Sequence, residues 1–129
     1  MVKKLYLISL LIIILDRIFK FYFMQNEFGI FKFKLNTGAA FGLFQGWNWF
    51  LIIFSLIVIG VILYSRENKK LEIGMGFLLG GTVSNLIDRV VYGGVIDYIR
   101  LDFLRNVFNL ADMANVIGAA ILIYYFWKE

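Results

Sequence analysis

Four long apolar runs separated by short polar segments organise the chain. A helix rises about 1.5 Å per residue and needs about 20 residues to cross a hydrocarbon layer. The runs near Leu5 to Met24, Trp47 to Tyr64, Ile73 to Val91 and Phe108 to Trp127 approach that length and predict four transmembrane helices. Between the first two, "FKFKLN" (Phe31 to Asn36) sets Phe31, Phe33 and Leu35 against Lys32 and Lys34, the period of a short strand lying on a membrane surface. A simple amphipathic loop would carry the same pattern. Between the last two, "DYIRLDFLRN" fits a half-buried interfacial helix with Arg100 and Arg105 at the head groups, or an irregular gate, and periodicity does not choose. The expected fold class is therefore an all-α membrane protein: four transmembrane helices, a small extracytoplasmic β-like element, and a loop or interfacial helix between helices 3 and 4.

Composition sharpens this. With 61% hydrophobic and 17% charged residues, the chain has too little polar surface for a soluble domain. The absence of Cys and His excludes a thiolate nucleophile, a Ser-His triad and histidine metal ligation, leaving carboxylates, Lys or Ser for any chemistry. The net charge of +4 is spread over span ends and short loops rather than one basic face, which points to anionic lipid head groups and away from nucleic acid. No linker or repeat divides residues 1–129, so a single domain is expected. The residues after the first apolar core, among them Asp16, Arg17 and Lys20, do not form a small-residue cleavage site, and the first run reads as a retained helix.

The basic residues favour one orientation. Lys3, Lys4, Arg66, Lys69, Lys70 and Lys128 fall on one side, and Lys32, Lys34, Arg100 and Arg105 on the other. The basic start tips the amino terminus inside, so both termini are expected in the cytoplasm. Trp47 and Trp49 then mark the outer interface, and Tyr64, Tyr124, Tyr125 and Trp127 the inner one.

Threaded through this topology, the intramembrane polar residues converge on the outer side. Asp16 and Lys20 lie late in span one, Asn85, Asp88 and Arg89 late in span three, and Asn109 and Asp112 early in span four, with Asn36 and Asp97 in the outer loops. Asp16 and Lys20 are spaced i, i+4, and Asn85 with Asp88 and Asn109 with Asp112 are spaced i, i+3, so each pair shares a helix face. Gly74, Gly76, Gly80 and Gly81 in span three, and Gly118, Ala119 and Ala120 in span four, would let the helices pack closely around a shared cleft. Bland readings stand beside these. Asp16 with Lys20 is most simply a structural ion pair, Asn85, Asp88 and Arg89 a clamp between helices, and Asp97 a solvated loop carboxylate.

Five stretches together carry a resemblance: "DRIFK" in span one, "NTGAAFG" at Asn36 to Gly42, "GGTVSNLIDRV" at Gly80 to Val90, "GGVIDY" at Gly93 to Tyr98 and "FNLAD" at Phe108 to Asp112. In these the chain resembles the bacterial lipoprotein signal peptidases, or signal peptidase II. The resemblance implies an intramembrane aspartic peptidase with Asp97 and Asp112 as the catalytic pair. It further implies that Asp16, Lys20, Asn36, Gly38, Asn85, Asp88, Arg89 and Asn109 support the site or its substrate. The implied substrate is a prolipoprotein carrying a diacylglyceryl group on the Cys that becomes the new amino terminus. No metal or cofactor is implied, the partners are that substrate and membrane lipids, and a monomer in the bacterial cell membrane is expected. Three positions depart from the family's habit: Arg17 stands where an uncharged polar residue is common, and Thr82 and Ser84 where Gly or Ala is. The chain is also short, with fifteen residues from Asp97 to Asp112.

Two close carboxylates do not readily ionise together, so one would hold a proton while the other draws a proton from water. Two alternatives use the same residues. A Ser84/Lys20 peptidase would put the nucleophile on span three, and a non-enzymatic proton or ion pathway would use the outer polar cluster without cleaving anything.

Overall fold

The computed structural model describes residues 3–39, 43–104 and 106–129. Among them, four helices carry a small sheet at one end: α1 (Lys3–Phe23), β1 (Phe31–Asn36), α2 (Asn48–Tyr64), α3 (Glu72–Tyr92), β2 (Val95–Leu101), β3 (Asn106–Phe108) and α4 (Leu110–Lys128). The expected runs thus form helices, each end within about two residues of expectation. Ala40, Phe41 and Gly42 of the "NTGAAFG" stretch, and Arg105, lie outside the described residues.

The helices follow from an inverted pattern. On α1 the buried residues Leu5, Ser9, Ile12, Asp16, Lys20 and Phe23 recur every three or four positions, as one helix stripe must. Leu7, Leu10, Leu11, Ile14, Leu15 and Ile18 face outward. Polar inside and apolar outside is stable only where the surroundings are apolar. By length and composition, α4 is apolar enough to cross a membrane, and α2 is an apolar helix of 17 residues.

Helix α3 sits at the centre, packed against α1, α2 and α4. Its glycines make those contacts close, as their spacing predicts. A Cβ on Gly76 or Gly80 would press on Ile8, Ser9 and Ile12 of α1, and one on Gly74 or Gly81 would press on Ile121, Leu122, Ala111 and Asn115 of α4. Helix α3 ends at Gly93, whose φ of +75° is a left-handed cap that a side chain would strain. The apolar core, Leu5, Ile62, Leu71, Met75 and Leu79, lies at the end of the bundle away from the sheet. There the buried Glu72 carboxylate accepts hydrogen bonds from the Lys4 and Leu5 amides, 3.1 and 3.4 Å, covering free donors at the start of α1.

The sheet is antiparallel with order β1-β2-β3. Lys34 pairs with Asp97, Leu35 with Ile96 and Asn36 with Val95, and the β1–β2 register is irregular between Phe31 and Lys34. The "FKFKLN" strand is therefore present, although Phe33 and Leu35 remain exposed. The expectation of a loop or interfacial helix between helices 3 and 4 is corrected. That segment is strand β2, a single 3-10 turn (Asp102–Leu104) and strand β3, with Ile99 opposite Phe108 and Leu101 opposite Asn106. Cross-strand pairing with β1 on one side and β3 on the other decides a segment for which local periodicity did not choose. Phe23, at the end of α1, stacks on Phe31 with ring centroids 4.2 Å apart and on Tyr98 at 5.5 Å, fastening the sheet to the bundle.

Candidate active site

A neutral box of charges underlies the site. Asp16 and Lys20, one turn apart on α1, are both fully buried and 2.7 Å apart. The three protons of the Lys20 ammonium go to Asp16 Oδ2, Asp88 Oδ2 at 2.7 Å and Asn85 Oδ1 at 3.0 Å. Arg17 reaches the other Asp88 oxygen at 2.6 Å and the Ser84 carbonyl at 2.6 Å. Two carboxylates thus face two cations, and further donors reach them: Asp16 accepts from Ser84 Oγ, Tyr98 Oη and the Ala111 amide, and Asp88 Oδ2 from the Ile96 amide. Asp88 Oδ1 has the Arg17 ion pair but no hydrogen bond, and Arg17 Nε is unpartnered among the described residues. The hydrogen bonds that are made offset much of the desolvation cost of a buried ion set. The box joins α1 and α3 to β2 and to the first turn of α4.

Three amides stand on this box and hold the two candidate carboxylates. Asp97, on β2 and 1% exposed, accepts from Asn36 Nδ2 at 3.1 Å and Asn109 Nδ2 at 2.9 Å. Asp112, the third residue of α4, accepts from Asn85 Nδ2 at 3.0 Å and from the Asn109 amide at 3.1 Å. Asn109 Oδ1 in turn accepts from the Asp112 amide at 2.7 Å, a reciprocal capping box. Asn109 therefore touches both carboxylates and also Asn85 Oδ1 at 3.1 Å. Burial, followed by the Asp112 charge, raises the Asp97 carboxyl from 3.8 to about 8, against lowering by the Asn36 hydrogen bond and the Lys20 and Arg89 charges. Burial, followed by the Asp16 charge, also raises the Tyr98 phenol, which keeps its proton and donates it to Asp16.

Arg89 fixes the loop after β1. Its guanidinium donates to the Gly38 carbonyl at 2.8 Å and to Asn48 Oδ1 at 3.2 Å. The Gly38 amide and Gln45 Nε2 both donate to Asn36 Oδ1 at 2.9 Å, which aims the Asn36 amide nitrogen at Asp97. A Cβ on Gly38 would run into the Leu43 carbonyl and Gln45.

Asp112 is half-buried and opens onto two grooves. One, of about 400 Å³ between α2, α3 and α4, is lined by Leu51, Phe54, Leu78, Thr82, Asn85, Arg89 and Asn115 among others. The other, of about 300 Å³, is walled by Leu104, Phe108, Met113, Val116 and Ile117.

Every residue singled out from the sequence, Asp16, Lys20, Asn36, Gly38, Asn85, Asp88, Arg89, Asp97, Asn109 and Asp112, lies in this one connected layer. The Asp16–Lys20 ion pair, read as structural, is present. Asp97 is not a solvated loop residue but a buried strand residue. Tyr98, Asn48, Gln45 and Glu72 were missed. Tyr98 was findable, since strand alternation turns it away from Asp97 and toward Asp16, but only once the segment is read as a strand. Nothing local marked the others. The Ser84/Lys20 arrangement is unfavourable: the Ser84 hydroxyl donates to Asp16 at 2.6 Å, and Lys20 has no free lone pair or proton for it.

A family model described as signal peptidase (SPase) II matches residues 8–128. The lipoprotein signal peptidase of Halothermothrix orenii is 36% identical over 140 residues, covering 96% of this chain and 95% of that one. That of Shouchella clausii is 34% identical over 135 residues, covering 92% and 89%. In three dimensions the fold is similar to a bacterial membrane enzyme solved by the in meso method at 2.3 Å resolution, with a TM-score of 0.83, 26% identity, and coverage of 95% of this chain and 86% of the other. The match takes in all four helices, both candidate carboxylates and the amides that hold them, and on that extent the chain belongs to the signal peptidase II family.

Proposed function

We propose that this chain is a membrane-embedded aspartic endopeptidase that removes the signal peptide of a prolipoprotein by cutting before a diacylglyceryl-modified Cys. The observation that carries it is the sharing of Asn109 between Asp97 and Asp112. One amide residue contacts both carboxylates, and Asp112 lines two grooves of the bundle. The family relatives, named lipoprotein signal peptidases, supply the substrate class.

In the chemistry, the pair holds one proton between its members and titrates as a unit. In this reading Asp97, whose side chain is the less exposed of the two, carries that proton, and Asp112, which lines the grooves, is its ionised partner. Asp112 takes a proton from a water, whose oxygen attacks the scissile carbonyl carbon. Protonated Asp97 hydrogen-bonds the developing oxyanion. On collapse the carbon–nitrogen bond breaks, the leaving amine of the lipidated Cys takes up a proton, and the pair returns to its one-proton state. The apolar groove along Met113, Val116 and Ile117 suits an acyl chain of the substrate.

All four helices span the bilayer in this reading, although α1 and α3 carry charges. Those charges are paired internally and the outward faces are apolar. Trp47 and Trp49 lie at the sheet end of α2, and Tyr64, Tyr124 and Trp127 at the opposite end of the bundle, as interfacial belts would. The site then lies near the outer face, with both termini in the cytoplasm.

The test is cleavage of a diacylglyceryl-modified prolipoprotein by the purified chain in lipid. The wild type should release the signal peptide, and folded Asp97→Asn and Asp112→Asn variants should not. Normal cleavage by either variant would sink the pair, and equal rates on lipidated and unlipidated precursor would remove lipid recognition.

A further inference from the structure

One helical turn below Asp112, a second polar pair lines the larger groove. Thr82 on α3 donates from Oγ1 to Asn115 Oδ1 on α4 at 3.3 Å. Both residues line the groove that also holds Asn85, Arg89 and Asp112. Asn115 lies three residues beyond Asp112, about 4.5 Å farther along the helix at about 1.5 Å per residue. Its carboxamide has one orientation. The oxygen is pressed against α3, where a Cβ on Gly81 would collide with it, and it accepts the Thr82 proton. Among the described residues no acceptor meets the amide nitrogen, whose two protons are left on the groove side.

This donor lies on the open groove and is available to an acceptor that enters there, and an acceptor displacing water from it must reproduce its hydrogen bond. The catalytic network does not use it. What the reaction brings to the same place is a chain with the complementary defect. The apolar part of a signal peptide precedes its cleavage site, so the residues before the scissile bond lie deeper in the bilayer than the bond itself. For Asp97 and Asp112 to reach a peptide carbonyl, that stretch must leave its helix, and its own carbonyls then lose their intrahelical donors.

We propose that Thr82 and Asn115 form a substrate-binding subsite, in which Asn115 Nδ2 donates to a backbone carbonyl of the unwound signal peptide just before the scissile bond. The proposal rests on the peptidase reading and adds to it a contact that recognises main chain rather than any side chain. Thr82 is the positioning residue, holding the carboxamide so that nitrogen and not oxygen faces the groove.

The test uses the full-length protein in lipid with the lipidated precursor. Asn115→Leu should raise KM about tenfold with kcat within about a factor of two, the signature of a lost binding contact. Thr82→Val, which frees the carboxamide to turn, should raise KM by about threefold. Precursors with an ester replacing the amide at each of the three bonds before the scissile one weaken one acceptor at a time. One of them should bind wild type more weakly and Asn115→Leu no more weakly than the all-amide precursor. Wild-type KM in Asn115→Leu overturns the proposal, as does a lower melting temperature with unchanged KM, or an ester effect equal in wild type and variant. Loss of the peptidase reading itself would look different: no cleavage by wild type, or full cleavage by Asp97→Asn.

Discussion

Asn109 and Asp112 cap each other: the Asn109 side chain accepts from the Asp112 amide at 2.7 Å, and the Asp112 carboxylate accepts from the Asn109 amide at 3.1 Å. A proposed catalytic carboxylate is thus also a fixed part of the first turn of α4. Capping holds its geometry before any substrate arrives.

The two duties of Asn109 separate by substitution. Asn109→Ser keeps an oxygen able to cap the Asp112 amide but is too short to reach Asp97. It should melt near wild type and lose at least about 100-fold in cleavage rate. Asn109→Ala should lose activity and also about 1 kcal/mol of stability. Comparable activity in the Ser variant and wild type would remove the bridging role.

Asp97 predicts the response to alkali. With its pKa raised to about 8, the proton the mechanism needs on the pair is lost as pH rises through that value, so the rate should fall there. Stability follows the same sign. The folded pKa lies above the ordinary 3.8, so the folded chain holds a proton that the unfolded chain releases. That contribution is complete below pH 3.8 and is lost progressively up to about 8. Asp97→Asn should flatten melting temperature against pH across this window, measured in detergent. An unchanged slope would contradict it.

The charge box predicts unequal costs. Lys20→Met leaves Asp16 and Asp88 without their shared cation and should cost about 3 to 5 kcal/mol or prevent folding. Arg17→Gln leaves Asp88 still paired with Lys20 and should cost about 1 to 3 kcal/mol. Thermal unfolding of the two variants in one detergent orders them.

Ser84→Ala distinguishes nucleophile from scaffold. The hydroxyl donates to Asp16 and accepts from Arg17 Nη2 at 3.3 Å, both scaffold contacts, so cleavage should persist within about tenfold of wild type, with about 1 kcal/mol of stability lost. Abolished cleavage in a folded variant would revive the Ser84/Lys20 peptidase.

Gly81→Ala tests helix approach. The new Cβ would meet the Ala111 carbonyl and Asn115 Oδ1, forcing α4 from α3 where Asn85 reaches Asp112. A cost of about 1 to 3 kcal/mol and a loss of activity larger than that of Gly60→Ala, at an open position, are expected.

The sequence by itself determined the four helices, because runs such as Ile73 to Val91 are long, apolar and interrupted only by glycine and by polar residues sharing a face. It also placed the polar residues at one end, since alternating helix direction follows from connectivity alone. Tertiary structure decided the rest. Whether the segment from Asp97 is helix or strand depends on partners distant in sequence: Lys34 opposite Asp97, and Phe108 opposite Ile99. That β2–β3 hairpin is how an interval of fifteen positions suffices between the two carboxylates, for it folds the chain back and returns Asn109 to Asp97. The ties of Tyr98 to Asp16, Gln45 to Asn36 and Asn48 to Arg89 arise the same way. Local periodicity reports which face of an element is buried, and it carries no information on which distant hydrogen-bond partner that face will meet.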